Sequence, residues 1–340
     1  MSTLERIWKC PGCGAPLSPS RFARSATCVY CHAVVQIDEA SVSAARFREA
    51  YRRWTTPDPA STQSWFTLGH DHWAELALVA HGEIADVFLV QRARSPRQRA
   101  LLKVLRSADD APMLDAEAAA LAVLQASTAP GAAAFAPRVP LLLARGVLGK
   151  GPQAGARATL FHLASGFEHT CEAVRAAYPR GVDGRVAVWM WRRVLEVLSF
   201  AHRSGIVHGA VLPQHLLIER GEHGVRLVGY GCAVKAGGAL AAVVARHERL
   251  YPARLLATQR LAPEHDVQMS ARSIGFVLGA DDDGHVPPAV PAPLRALVEA
   301  VGRGEGAGDA WSVRERIGAV AASLYGPPSF NPLVMPEPQA

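Results

Sequence analysis

The chain has 340 residues, of which 49% are apolar and 19% are charged, a balance typical of a folded globular protein rather than a disordered one. Its net charge of +6 comes from 36 basic and 30 acidic residues, and only four of the basic residues are lysines. No apolar run reaches the roughly 20 residues that span a bilayer, and the first residues lack the order of a signal peptide. The sequence therefore predicts a cytoplasmic protein without a membrane segment.

Four of the six cysteines lie near the start of the chain, as the pairs Cys10–Cys13 and Cys28–Cys31. Two residues separate the members of each pair, so that a tight turn can direct both thiolates at one metal ion. A disulfide is disfavoured in a chain without a secretion signal, and a redox C-x-x-C would begin a helix of a βαβ unit, which is absent. The pattern resembles the zinc-ribbon family and predicts a structural Zn²⁺ on all four cysteines within residues 1–40.

A helix and a linker are predicted for residues 41–66. Apolar side chains in 41–54 recur at three- and four-residue spacings, which indicates an amphipathic helix, and Pro57 and Pro59 then break it. Arginines accumulate here and in the preceding segment, but the aromatic residues among them follow helical spacing. That spacing favours a face that packs on the larger domain of the same chain, so the sequence argues against a nucleic acid as the partner.

We predict that residues 67–326 form one domain, which begins with strands. Two apolar runs, 76–79 and 86–91, flank a turn and have the order of a hairpin. A third strand is predicted for 99–105, where Lys103 lies between apolar neighbours.

The rest of this domain is predicted to be mainly helical. A helix at 115–126 carries Glu117, and a long amphipathic helix follows at 185–204. Two short strands are predicted at 215–219 and 225–228.

The segment 206–218 reads I-V-H-G-A-V-L-P-Q-H-L-L-I and resembles the catalytic loop of protein kinases, I-x-H-R-D-L-K-P-x-N-I-L-I. Residues 229–231 read G-Y-G where that family has D-F-G, and 262–264 read A-P-E. The resemblance covers about 250 residues. It implies an α+β, two-lobed fold with a small β-rich lobe and a larger helical lobe, preceded by the small β zinc ribbon.

Four positions that carry chemistry in the kinase family are changed in this chain. The resemblance places the catalytic aspartate, which accepts the proton of the substrate hydroxyl, at Ala210, and the loop lysine at Leu212. It places the two Mg²⁺ ligands at His215 and Gly229, which offer none of the oxygen atoms that Mg²⁺ prefers. The resemblance therefore implies a pseudokinase without catalytic residues and without bound Mg²⁺.

Positions that face the nucleotide in the family are better preserved. Of the three glycines in the family's phosphate loop, Gly82 remains and two are alanines, and Val87 follows where the family contacts adenine. Lys103 stands at the position of the lysine that contacts the phosphates, and Glu117 could pair with it. The resemblance therefore implies that ATP could still bind.

Three interpretations follow from the resemblance. The leading one is a non-catalytic, regulatory scaffold for protein partners, and a second is a pseudokinase that binds ATP without transferring phosphate. The third is an atypical active serine/threonine kinase that uses a carboxylate from elsewhere. The candidates for that carboxylate, which we interpret as exposed charges, are Glu219, Glu222, Asp266 and residues 281–283.

Two further expectations concern the end of the domain. Ser270 stands at the position of an aspartate that braces the catalytic loop in kinases, so we expect the brace to be lost. Residues 327–340 contain five prolines and predict an extended tail.

Overall fold

A computed structural model describes residues 8–10, 13–17, 25–32, 34–36, 65–149 and 153–335. The helix and most of the linker predicted for 41–66 lie outside the described residues, as do the arginines that precede them. Within the described ranges, every helix is too short or too polar to cross a bilayer.

Two short antiparallel hairpins, the cysteine hairpins, carry the four N-terminal cysteines. Their strands are, in paired order, β1 (Trp8–Lys9) with β2 (Pro16–Leu17), and β3 (Ser25–Thr27) with β4 (Val34–Gln36). Cys10 O accepts a bond from Gly14 N at 2.8 Å, and Cys28 O accepts one from His32 N at 2.9 Å. Gly14 and His32 both have positive φ, +76° and +61°. The two turns therefore have the same main-chain design.

A six-stranded antiparallel sheet forms the first lobe, with the strand order β5-β6-β7-β8-β10-β9. Its strands are β5 (Trp65–Leu68), β6 (Asp71–His81), β7 (Ala85–Arg92), β8 (Arg99–Leu105), β9 (Leu142–Val147) and β10 (Arg157–His162). The predicted strand 99–105 is confirmed with the same bounds. Alternation along β8 buries Ala100, Leu102 and Val104 on one face, which leaves Lys103 on the opposite face.

Helices dominate the second lobe, and one further helix packs beside the sheet. In chain order they are α1 (Ala111–Gln125), α2 (Ala132–Phe135), α3 (Cys171–Ala177), α4 (Gly184–Arg203), α5 (Ala253–Thr258), α6 (Pro263–Val277), α7 (Ala292–Arg303) and α8 (Ala310–Tyr325). The short strands are β11 (His169–Thr170), β12 (Ile206–Val207), β13 (Leu216–Glu219), β14 (Gly224–Leu227) and β15 (Val234–Lys235). The predicted α+β, two-lobed architecture is confirmed.

The long helix α4 forms the centre of the helical lobe. Its side chains Trp191, Leu195 and Leu198 are fully buried, because apolar residues at three- and four-residue spacing share one helix face. The indole Nε1 of Trp191 donates to Ser270 Oγ at 3.0 Å, which ties α4 to α6. Burial of such large side chains is the main stabilising contribution to this lobe.

The tail contains no helix or strand between residues 327 and 335, and it packs against the helical lobe. Leu333 and Met335 are buried, and Tyr178 donates its hydroxyl to Val334 O. Phe330 stacks on His223 with ring centroids 4.1 Å apart. The described part of the tail is therefore a packed segment of the domain rather than a solvated extension.

A carboxylate on α6 holds the loop that resembles the kinase catalytic loop. Asp266 accepts from His208 N at 2.7 Å and from Gly209 N at 2.8 Å, and His202 Nε2 lies 2.9 Å from the same carboxylate. Gly209 has φ +76°, and a Cβ there would lie 2.8 Å from Cys232 O. Glycine therefore lets this amide face Asp266 without a clash.

The prediction that the brace is lost with Ser270 is wrong. Asp266 lies four residues before Ser270, so the two side chains are one turn apart on the same face of α6. Interpreting Asp266 as an exposed charge was also wrong, because its side chain is completely buried. Burial alone would raise the pKa of Asp266, but the bonds from His202 and His208 lower it below its ordinary value.

We expect Asp266→Asn to lower the free energy of unfolding by about 3 kcal/mol at pH 7, because an amide nitrogen would face a main-chain N–H in a buried site. A carboxyl whose pKa is lowered by folding contributes stability that is present above about pH 4 and is lost as the pH falls through its folded-state pKa. The difference between the two proteins should therefore shrink on acidification. Urea unfolding at several pH values measures it.

Glu264→Gln is the matched control, since Glu264 lies in the same helical turn and forms no ion pair with any described residue. Its effect should stay within about 0.5 kcal/mol. Equal stability of Asp266→Asn and the wild-type chain would contradict the proposed brace.

Candidate nucleotide cleft and metal centre

A buried ion pair joins the sheet to α1. Lys103 Nζ on β8 lies 2.7 Å from Glu117 Oε2 on α1, and the other oxygen of Glu117 accepts from Tyr230 N at 3.2 Å. Glu117 is 3% exposed, so its carboxylate is satisfied by these two partners in a site with little water. The pair that the sequence suggested is therefore formed, and it contacts both lobes.

The loop after β12 contains Ala210 and Leu212, to which the resemblance assigned the positions of catalytic side chains. Ala210 and Leu212 are both buried and apolar. Ala210 N donates to His208 Nδ1 at 3.2 Å, and His208 Nε2 lies 3.0 Å from Val228 O. These bonds require His208 to be neutral with its proton on Nε2. The loop therefore keeps its shape but offers no proton acceptor at residue 210.

His215 takes up the space in front of Gly229. Its Nδ1 donates to Ala210 O at 2.7 Å, so Nε2 carries the lone pair. A Cβ on Gly229 would lie 2.6 Å from the imidazole Cδ2, and Gly229 has φ +81°. The geometry therefore excludes an aspartate at 229 while His215 keeps this position.

The charge of His215 follows from its surroundings. Burial, the neighbouring His208 and the positive Lys103 lower the pKa of His215 to about 3, although the bond to Ala210 opposes them. The imidazole is therefore neutral at physiological pH.

The turn after β6 is the position at which the resemblance to protein kinases places a glycine-rich loop. Gly82 N donates to Ala85 O at 2.9 Å, and Arg106 donates to both Gly82 O and Glu83 O. Val87 on β7 is the register partner of Lys103 and is half-buried. Val87 thus lies on the strand that pairs with the strand of Lys103, and Gly82 lies in the turn that precedes the strand of Val87.

Arg246 bridges the two sides of the cleft, which lies between the β-rich lobe and the helical lobe. Its guanidinium lies 3.1 Å from Glu83 on the turn, 2.9 Å from Gln214 on the loop and 3.6 Å from Glu172 on α3. Glu172 also accepts from His247 Nε2 at 2.6 Å. Glu83 and Glu172 are therefore each paired with a basic side chain.

Three of the other nominated carboxylates, Glu219, Asp281 and Asp282, have local structural roles. Glu219 accepts from Gly221 N and Glu222 N, each at 2.7 Å, which closes the turn between β13 and β14. Asp281 accepts from His285 N at 2.8 Å, and Asp282 forms an ion pair with Arg249.

The four N-terminal cysteines converge on one point. The Sγ atoms of Cys10 and Cys31 are 3.4 Å apart, those of Cys13 and Cys28 are 3.6 Å apart, and all four lie within 4.8 Å of one another. Zn–S bonds of about 2.3 Å place tetrahedral sulfurs about 3.8 Å apart. These separations fit a four-sulfur metal site, and the four cysteines could hold a metal such as zinc.

The cysteine hairpins contact the helical lobe and the tail. Tyr30, in the second C-x-x-C turn, donates to Glu222 O and meets the edge of Phe330 at 6.0 Å. Phe330 N in turn donates to Cys13 O at 3.4 Å. The four-cysteine cluster is thus tied to the tail by side-chain and main-chain contacts.

Sequence reasoning missed Asp266 and Arg246 as residues that shape the cleft. A carboxylate one turn before Ser270 was a usable signal, because helix neighbours at i and i+4 share a face. Nothing in the sequence indicated Arg246, whose partners come from three separate segments.

Comparison with known proteins was informative only at the level of structure. No protein-family model and no curated protein sequence matches the chain. The chain is similar to a rhoptry kinase from Toxoplasma gondii, with a TM-score of 0.56 and 14% identity over 76% of this chain and 84% of that one. It is also similar to the BubR1 kinase domain, with a TM-score of 0.56 and 11% identity over 82% and 91% of the two chains. The chain therefore has the two-lobed fold of protein kinases.

Proposed function

We propose that this protein is a pseudokinase, a regulatory scaffold that binds protein partners in the cytoplasm and does not transfer phosphate. The observation that carries the proposal is the position of His215, whose ring fills the space that a side chain at Gly229 would need. A single reversion at either position cannot rebuild a Mg²⁺ ligand pair.

Electrostatics support the same proposal. Phosphoryl transfer requires metal ions that neutralise the developing charge and a carboxylate that orients the nucleophile. Here the neutral His215, Ala210 and Gly229 supply neither, and Glu117 is already bound to Lys103 and Tyr230. Since such groups act as a unit, losing several of them removes nearly all the stabilisation of the transition state.

We expect no phosphotransfer above background with Mg²⁺ or Mn²⁺, either onto the protein itself or onto a general kinase substrate. The assay compares radiolabel incorporation by the wild-type chain with that by Lys103→Met. Equal incorporation by the two proteins is the expected result. Turnover by the wild-type chain that Lys103→Met abolishes would contradict the proposal.

A second candidate function is binding of ATP without transfer, and the Lys103–Glu117 pair favours it. Lys103 is 15% exposed at its side chain and could contact a phosphate from the cleft side. We expect ATP to raise the melting temperature equally with and without Mg²⁺, because no oxygen ligand for the ion remains at 215 or 229. A concentration of 100 times the Kd would add about 2.7 kcal/mol.

Lys103→Met should abolish this shift, whereas Lys235→Met, at an exposed lysine on β15, should leave it unchanged. A shift that requires Mg²⁺ would contradict metal-free binding, and no shift at millimolar ATP would remove this second function.

We further propose that the four cysteines hold one structural Zn²⁺. Four thiolates leave no open coordination position, so the ion would stabilise the cysteine hairpins rather than catalyse a reaction. With only a few buried residues around the cysteines, the hairpins are too small to fold on apolar burial alone.

Metal analysis of the purified protein should give one zinc per chain, and Cys28→Ser should lose this zinc. Because the hairpins fold only around the metal, the variant should also lack the separate unfolding step that the hairpins give in the wild-type chain on heating. His32→Asn is the matched control, because His32 is an exposed neighbour of the site and asparagine tolerates positive φ. It should retain the zinc. Full zinc content in Cys28→Ser would contradict a four-cysteine site.

A further inference from the structure

An open cavity of about 430 Å³ lies outside the nucleotide cleft, between α4, α8, the second C-x-x-C turn and the tail. Three parts of the chain that are distant in sequence form its walls. Tyr30 comes from the cysteine hairpins, Arg192 and Trp189 from α4, Arg314 from α8 and Asn331 from the tail.

The walls of this cavity carry a large excess of positive charge. Among the residues that the structure describes, four arginines line it, at positions 185, 192, 193 and 314, against one carboxylate, that of Glu196. His223 also lines it, and burial lowers the pKa of this imidazole to about 4, so it is neutral at pH 7. Such a concave, one-signed surface attracts anions.

Glu196 has no capacity left to balance this charge. It accepts from Arg138 at 2.7 Å, from Arg193 at 3.0 Å and from Arg314 at 2.8 Å. Burial alone would raise the pKa of Glu196, but these arginines lower it below its ordinary value. One ionised carboxylate therefore already serves three guanidiniums.

Arg192 is the unpaired member of the group. Among the described residues it forms no ion pair and no hydrogen bond, although it is half-buried. Burial and the neighbouring Arg314 lower the pKa of its guanidinium, which means that an added negative charge would relieve an unfavourable field. A Cβ on Gly318 would lie at an ordinary contact distance, 3.9 Å, from Arg192 Cζ, so the guanidinium of Arg192 lies beside α8.

A second buried donor belongs to the same wall. The indole Nε1 of Trp189 is buried and has no acceptor among the described residues, and an unpaired buried donor is costly. Tyr30 and Tyr325 add aromatic surface beside the arginines, with Arg185 4.4 Å from the centre of the Tyr325 ring, and Trp189 stacks on His223. The cavity thus combines guanidinium donors with an apolar wall, as ligand sites do.

We propose that this cavity binds a phosphate monoester whose organic part lies on the aromatic wall. A monoester carries nearly two negative charges at pH 7 and three acceptor oxygens, and the planar guanidinium matches this geometry with paired bonds. The ester comes either from a phosphorylated side chain of a partner or from a free metabolite. A ligand there would contact the cysteine hairpins, the helical lobe and the tail together. The proposal does not depend on the nucleotide cleft.

Calorimetric titration of the full chain at fixed ionic strength tests it, with inorganic phosphate, phenyl phosphate and a phosphoserine peptide as probes. We expect saturable binding of at least one ester, tighter than that of inorganic phosphate. Tighter binding of the peptide would identify a phosphorylated partner, and tighter binding of phenyl phosphate a small metabolite.

Arg192→Gln should weaken the preferred ester at least about tenfold, the usual effect of losing a charge-assisted bond. Arg192→Lys keeps the charge but not the paired bonds and should give an intermediate value. Arg295→Gln, at a half-buried arginine of α7 outside the cavity, removes the same charge and should leave binding unchanged. Melting temperatures establish that the variants are folded.

Three outcomes would overturn the proposal. The first is that neither ester binds saturably. The second is that inorganic phosphate binds at least as tightly as both esters, and the third is that the wild-type chain and folded Arg192→Gln bind the preferred ester with equal affinity.

Discussion

The carboxylate of Asp266 accepts a hydrogen bond from the main-chain N–H of His208 at 2.7 Å. This bond fixes the loop, and the other contacts of the cleft depend on the position of that loop. The ring of His208 meets the edge of Tyr230 with centroids 4.5 Å apart. Tyr230 N then donates to Glu117, which holds Lys103. Each link is a polar or aromatic contact in a site with little water, where hydrogen bonds are strong and unpaired groups are costly. One buried charge on α6 thereby fixes the geometry of a lysine on the sheet.

In this cleft, the residues that hold the loop and the lobes in place differ from those at the four changed positions. The brace from Asp266, the neutral His208 and the pair between Lys103 and Glu117 set the shape of the loop and the approach of the lobes. The changed positions interact with one another instead, since His215 donates to Ala210 O and excludes a side chain at Gly229. A loop that had merely lost its catalytic groups would leave unfilled space, which destabilises a protein. The imidazole fills that space, which is why the proposed loss of activity is compatible with a well-packed domain.

The elements that sequence predicted well are those set by local pattern. Strand 99–105 follows from an apolar run that encloses one lysine, whereas the pairing of Lys103 with Glu117 is what the resemblance to protein kinases implied. The role of Asp266 did not follow, since the register of α6 against the loop is a tertiary property. The same holds for Arg246, and for the tail, whose prolines indicated the lack of regular structure but not its contacts. The resemblance assigned the brace position to Ser270, but the carboxylate that holds the loop is Asp266, one helical turn earlier.

His223 shows how the two ends of the chain become one structure. Its imidazole is stacked between Trp189 at 4.2 Å and Phe330 at 4.1 Å, and its Nε2 lies 2.7 Å from Asn331 O. Tyr30 meets the edge of the same imidazole at 5.6 Å, so the hairpins, lobe and tail share a single aromatic contact. Any ion or ligand that orders one of these parts must then stabilise the others, because binding to the folded state alone shifts the whole equilibrium. The contact between the cysteine hairpins and the helical lobe is therefore a place where a metal bound by the hairpins can strengthen the packing of the tail on the helical lobe.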